Sequence, residues 1–138
     1  MTDQPKTPEI AAALTVAKLR AWRTGLLTLH KVLVDAELLR YASAHGTVSG
    51  PHHALKLLSE HEWFQWLRPF VVLVVEIDER MADHRPMTTD EAEAFRRQTR
   101  ALLQPPIDSP TGREYLRSLQ ELPDAVAEHS KLIALTKE

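Results

Sequence analysis

Arg23, His30 and Glu37 stand seven residues apart, and Tyr41 follows one helical turn beyond them. On a helix this spacing places a guanidinium, an imidazole and a carboxylate along one line. Such a line could form a buried polar cluster, a ligand-holding seam, or an acid–base pair built from His30 and Glu37. The same spacing also suits a polar seam at the edge of a core, and partly buried histidines mostly serve no chemistry. No substrate class follows from these residues. A non-enzymatic role is expected, with no catalytic residue assigned.

The seven histidines raise metal binding as a second possibility. Di-iron bundles use Glu-x-x-His pairs, but the residues three before each histidine are Leu27, Ala42, Ser49, Gly50, Leu58, Met81 and Val126. His61–Glu62 runs into Trp63, Phe64 and Gln65, so it is not the zinc-protease pattern. No histidine has a histidine or carboxylate four residues later. Neither metal nor cofactor is expected from local motifs, with an axial haem histidine at His84 or His129 as the alternative. The chain has no cysteine, and its four scattered glycines build no phosphate loop.

Aromatic residues crowd around one proline in "HEWFQWLRPF", where Trp63, Trp66, Leu67 and Phe70 surround Pro69. Proline removes the N–H that the carbonyl of Gln65 would receive, and Arg68 could satisfy that carbonyl or stack on Trp66. A bend carrying a cation, a free carbonyl and indoles is a candidate pocket; aromatics filling the space beside a bend are the plainer account. Together with "LLTLHKVLVDAELLRYASAHG", this block resembles small uncharacterised helical bacterial proteins. That resemblance covers roughly the first helix through Arg80 and implies a helical fold, with no activity and no site residue to carry over.

The elements that must position these groups are helical. Thr7 and Pro8 open a first helix that reaches His45, where Gly46 stops it and Gly25 is a candidate bend. Residues 1–8 are read as a flexible tail and 9–138 as a single domain. Pro51 opens a short second piece, and Ser59 with Glu62 has capping-box spacing. The valine run after Pro69 favours a strand by propensity. A lone strand would leave its hydrogen bonds unmet, however, and Phe70, Leu73, Val74, Ile77 and Met81 keep helical spacing. Thr88 and Glu91 cap a helix to about Gln104, and two shorter helices follow from Thr111 and Pro123. The expected fold is an all-α, antiparallel bundle of four main rods, with a long first helix and a second rod kinked at Pro69.

On the first helix, Leu14, Ala21, Trp22, Leu26, Leu29, Val32, Leu33, Ala36 and Leu39 form the stripe expected to face the core. Val16, Leu27, Val34 and Leu38 form a narrower second stripe, which is read either as wrapped by the chain's own neighbours or as a homodimer interface. Arg96, Arg97 and Arg100 form a basic face that could meet an anionic partner. No aromatic interleaves that face and the net charge is −2, so nucleic acid is not the expected partner. The longest apolar run, residues 70–75, is far too short to span a bilayer, and a cytoplasmic protein is expected. The leading reading is a homodimeric protein-interaction or regulatory module. The alternative is a small-molecule or haem sensor with its pocket near Trp66–Pro69 or the Arg23/His30/Glu37 seam.

Overall fold

Prolines and short polar side chains set most of the helix starts. The computed structural model describes residues 6–137, and among these every regular element is helical. They are α1 (Lys6–His45), α2 (Pro51–Glu60), a 3-10 helix (Glu62–Leu67), α3 (Arg68–Ala82), α4 (Thr89–Leu103), α5 (Pro110–Glu121) and α6 (Pro123–Leu135). Proline occupies the first turn of α2, α3, α5 and α6, where its missing N–H has no intrahelical partner to lose. The Thr88 hydroxyl accepts from the N–H of Glu91 at 3.1 Å, and the Glu91 carboxylate accepts in return from the N–H of Thr88 at 3.2 Å. This is the reciprocal cap that the spacing predicts. Of the expected tail, residues 1–5 lie outside the described residues, while 6–8 belong to α1.

Two local expectations are corrected. Ser59 and Glu62 form no capping box: Ser59 lies inside α2, and the 3-10 helix is capped by His61, whose Nδ1 accepts from the N–H of Trp63 at 3.1 Å. Nor is the Gln65 carbonyl left without a donor, because Arg68 keeps helical geometry despite the proline after it. Arg68 stays at φ −61° and ψ −37°, and its backbone N–H reaches the carbonyl of Gln65. The tighter 3-10 turn supplies that bond, so the carbonyl expected to be orphaned is satisfied locally. Pro69 therefore lies in the first turn of α3, directly after the 3-10 helix.

α1 is the central element, packing against α6, α3 and α4. Leu19, Leu26, Leu29 and Leu33 of α1 meet Phe64 and Leu67, Phe70 and Ile77 of α3, and Leu132 of α6 in a fully buried core. The face that α1 buries is rotated from the predicted stripe. Leu14 and Leu39 are 58% and 72% exposed, whereas Val34 and Glu37 are buried. Of the polar line, Glu37 is buried with the core, whereas Arg23 and His30 are half-buried beside α3. α1 also runs unbroken through Gly25. A Cβ there would lie 2.5 Å from Cδ2 of Leu132, so the glycine admits α6 to close contact.

The valine run is helical, as its spacing indicates. Phe70, Leu73, Val74 and Ile77 are buried while Val71, Val72 and Val75 stay exposed. α3 is tied to the start of α4 by Arg80, whose guanidinium donates to both carboxylate oxygens of Glu91, one of them at 2.8 Å. That pairing, aided by the N–H of Thr88, holds the Glu91 carboxyl down at about 2. The contribution of this pair to stability is complete above the ordinary carboxyl range and is lost as pH falls toward 2. Among the described residues, no helix is long and apolar enough to cross a membrane.

Candidate functional site

The polar line on α1 separates into three environments. Arg23 pairs with Asp78 of α3. His30 is half-buried, its ring 6.3 Å from that of Phe70, and among the described residues it has no hydrogen-bonded partner. Glu37 is 2% exposed and is the hub of a network: its carboxylate accepts from Arg117 of α5 at 2.7 Å, from Arg40 at 3.0 Å and from the indole N–H of Trp63 at 3.1 Å. Arg117 also reaches Glu114 and Glu121. Tyr41 stands apart in an aromatic group, its ring 5.5 Å from Trp63 and 5.6 Å from Phe64, with His45 and His61 alongside. His30 and Glu37 therefore share a helix face without forming an acid–base pair. Glu37 ties α1, the 3-10 helix and α5 together.

Beside this network opens a cleft of about 1200 Å³. Trp63, Trp66, Pro69, Val72 and Leu102 supply its apolar wall, Pro110, Thr111 and Glu114 of α5 line it as well, and Glu62 and Glu76 are exposed members of the lining. Neither carboxylate is paired with a cation among the described residues. The cation over an indole is Arg40, 5.7 Å from the ring centre of Trp63, rather than Arg68 on Trp66. Arg68 instead donates to the carbonyls of Leu58 and His61 at 3.2 and 2.8 Å, fastening α2 to the 3-10 helix. Trp66 is 7% exposed and its indole N–H is buried without an acceptor. Such an orphaned donor costs about 1–3 kcal/mol.

The remaining predicted site residues fall elsewhere. Arg96 and Arg100 reach across to the end of α6: Arg96 donates to the carbonyl of Thr136 at 2.9 Å, and Arg100 to that of Ile133 at 3.3 Å and to the Thr136 hydroxyl at 3.2 Å. They satisfy the last carbonyls of α6 and complement its dipole, so they act as a fastener between α4 and α6. Arg97 pairs with Glu93 at 3.2 Å. Of the second apolar stripe, Val34 is buried and Leu38 packs on the chain's own core, while Leu27 is 37% exposed. No group of three or more histidines and carboxylates is placed to hold a metal among the described residues. His84 is exposed, and His129 Nδ1 sits 2.7 Å from the Tyr115 hydroxyl.

Burial lowers the pKa of both His30 and His129 below the ordinary 6.5. The unfolded chain therefore binds more protons than the native one just below neutrality. Stability is full above pH 6.5 and falls as pH drops through that value toward the folded-state values. Urea unfolding followed between pH 7.5 and 5 should show this slope, and His30→Gln should reduce it. A midpoint that does not move over that interval would contradict the burial argument.

Reasoning from sequence missed Arg117 as a partner of Glu37, and it missed the α4–α5 wall of the cleft. Only the clustering of Glu114, Arg117 and Glu121 at helical spacing hinted that Arg117 is held in place. No known protein-family model matches the chain, and neither a curated protein nor a solved structure shows significant similarity to it.

Proposed function

We propose that this chain is a non-enzymatic interaction module that receives the apolar face of a partner helix in the Trp63–Val72–Leu102 cleft. In this reading the domain is a bundle of four antiparallel rods, the second bent at Pro69, and the cleft opens at the bend. The observation that carries the reading is the cleft itself. It is open and mainly apolar, and the exposed Val72 of α3 forms part of its lining. Grooves of this kind take amphipathic helices, with the apolar anchors inserted and charges left at the rim. Glu62 and Glu76, exposed in the lining, favour a helix with basic residues beside its apolar face. Glu37, deepest in the wall, already has three donors and needs nothing from a ligand.

A short lysine–leucine helical peptide is a suitable test ligand. On titration the indole N–H resonances of Trp63 and Trp66 should move, while that of Trp22, which donates to the carbonyl of Leu135 on the α1–α6 side, should not. Val72→Glu, at a half-exposed position, should weaken binding about tenfold, equivalent to ~1.4 kcal/mol. Equal shifts at all three indoles, or none, would sink the proposal. A second reading, a small-molecule sensor, is favoured by the acceptor-less N–H of Trp66 in the wall of the cleft. Native mass spectrometry revealing a bound small molecule that Val72→Glu releases would select it over the first.

A further inference from the structure

We propose that a second, smaller pocket of this domain binds an amphipathic carboxylate, its alkyl or aryl part held in the pocket and its carboxylate on Arg20. The inference is independent of the helix-receiving cleft. The pocket, of about 450 Å³, lies where the early part of α1 meets the end of α3 and the loop before α4. That size falls within the ordinary range for small-molecule sites, about 300–1,000 Å³. Val16 and Ala17 line it from α1, and Met81, Pro86 and Met87 line it from the α3–α4 corner. Met81 and Met87 are partly buried and pack against the core, so the apolar lining has packed structure behind it. Their unbranched thioether side chains adjust readily to the shape of an alkyl or aryl group.

The charged groups of the lining decide the class of ligand. Asp83 is already engaged: it accepts from the N–H and from the guanidinium of Arg85, each at 2.9 Å. Arg80 donates to the carboxylate of Glu91 and to the carbonyls of Arg85 and Pro86, the last two at 3.2 and 2.9 Å. These bonds fix the 83–87 loop, so this side of the pocket is formed in advance of any ligand. Arg20 differs from the other charged groups of the lining. It is exposed and has no partner among the described residues. One unengaged guanidinium matches one carboxylate, which it grips with two parallel N–H bonds. A phosphate would bring a second negative charge with no free cation to meet it, and an inorganic anion would leave the apolar lining unused. A cationic ligand would be repelled by Arg20.

The test is a titration of the full chain, isotopically labelled at its methionine methyl groups, with octanoate. The Met81 and Met87 methyl resonances should move saturably, while the indole N–H resonances of Trp63 and Trp66 in the large cleft stay in place. Arg20→Gln should weaken binding about tenfold, and so should replacing octanoate by octanol, which keeps the alkyl chain and lacks the charge. Ala17→Leu keeps Arg20 and adds bulk to the lining, so it should weaken binding as well. Both positions are exposed, and circular dichroism should show the fold intact. Methionine resonances that stay still at millimolar octanoate overturn the inference, as does an unchanged affinity in Arg20→Gln or in Ala17→Leu. Octanoate that moves the Trp63 and Trp66 indoles instead belongs to the large cleft and overturns it too.

Discussion

Glu37→Ala should lower the free energy of unfolding by about 3–5 kcal/mol, the range found when one member of a buried ion pair is removed. The carboxylate is almost inaccessible, and its loss leaves the Arg117 guanidinium and the Trp63 indole N–H without their acceptor. Arg40 is 42% exposed on its side chain and can turn to water, whereas Arg117 is only 22% exposed and cannot do so freely. Arg117 should therefore dominate the cost. A double replacement, Glu37→Leu with Arg117→Leu, should be less damaging than Glu37→Ala alone, since no charge is then stranded. Urea unfolding of the single and double variants measures both quantities. A loss below about 1 kcal/mol for Glu37→Ala would mean that Arg117 rehydrates in place and that the network behaves as a surface one. The same substitution should shift the Trp63 indole resonance, because the network holds that wall of the cleft.

What could be seen in advance of this network was its spacing and not its partners. Helical periodicity placed Arg23, His30 and Glu37 on one line, and α1 does carry them on one face. Nothing local indicates that Asp78 takes the first and Arg117 the third, because those partners lie 55 and 80 residues away in sequence. The wheel was also read with its buried arc too far toward Leu14 and Leu39. Periodicity finds apolar lines on a helix but does not say which of them the neighbouring helices cover. Leu14 and Leu39 lie on the side of α1 left open: Leu39 is exposed although Glu37 before it and Tyr41 after it both pack against the 3-10 helix.

Helix starts were more legible, because their causes are local. Pro51, Pro123 and the Thr88–Glu91 pair mark starts within a residue or two of those observed. The Ser59–Glu62 pair has the same spacing as Thr88–Glu91 and fails. Leu57 and Leu58 carry α2 on to Glu60, and His61 then offers a ring nitrogen to the next turn. The cleft shows the opposite limit. Its Trp63–Pro69 wall was visible as a sequence block, yet a cleft needs a second wall, and Leu102 and Pro110 reach it only through the tertiary path of α4 and α5.

That second wall depends on Gly112, and Gly112→Ala should destabilise the chain by about 3 kcal/mol, at the upper end of the range for overpacking. Helix propensity taken alone predicts the opposite sign, since alanine inside a helix is favoured over glycine by about 1 kcal/mol. The deciding fact is a close approach. A Cβ on Gly112 would lie 1.9 Å from the carbonyl oxygen of Pro106, which is backbone and cannot rotate away. The same carbonyl accepts from the Ser109 hydroxyl at 2.6 Å, and that hydroxyl accepts from the N–H of Gly112 at 2.9 Å. Relieving the clash therefore means breaking the cap of α5 or moving the loop before it. Either change displaces Pro110, Thr111 and Glu114, which line the cleft. Gly25→Ala is the matched control: its close contacts are Cδ2 and Cγ of the Leu132 side chain at 2.5 and 2.9 Å rather than backbone, so the strain falls on the α1–α6 contact and the cleft should be unaffected. A Gly112→Ala protein that melts at or above the wild-type temperature would show that the loop does not close over α5, and the cleft would then lack the wall on which helix docking depends.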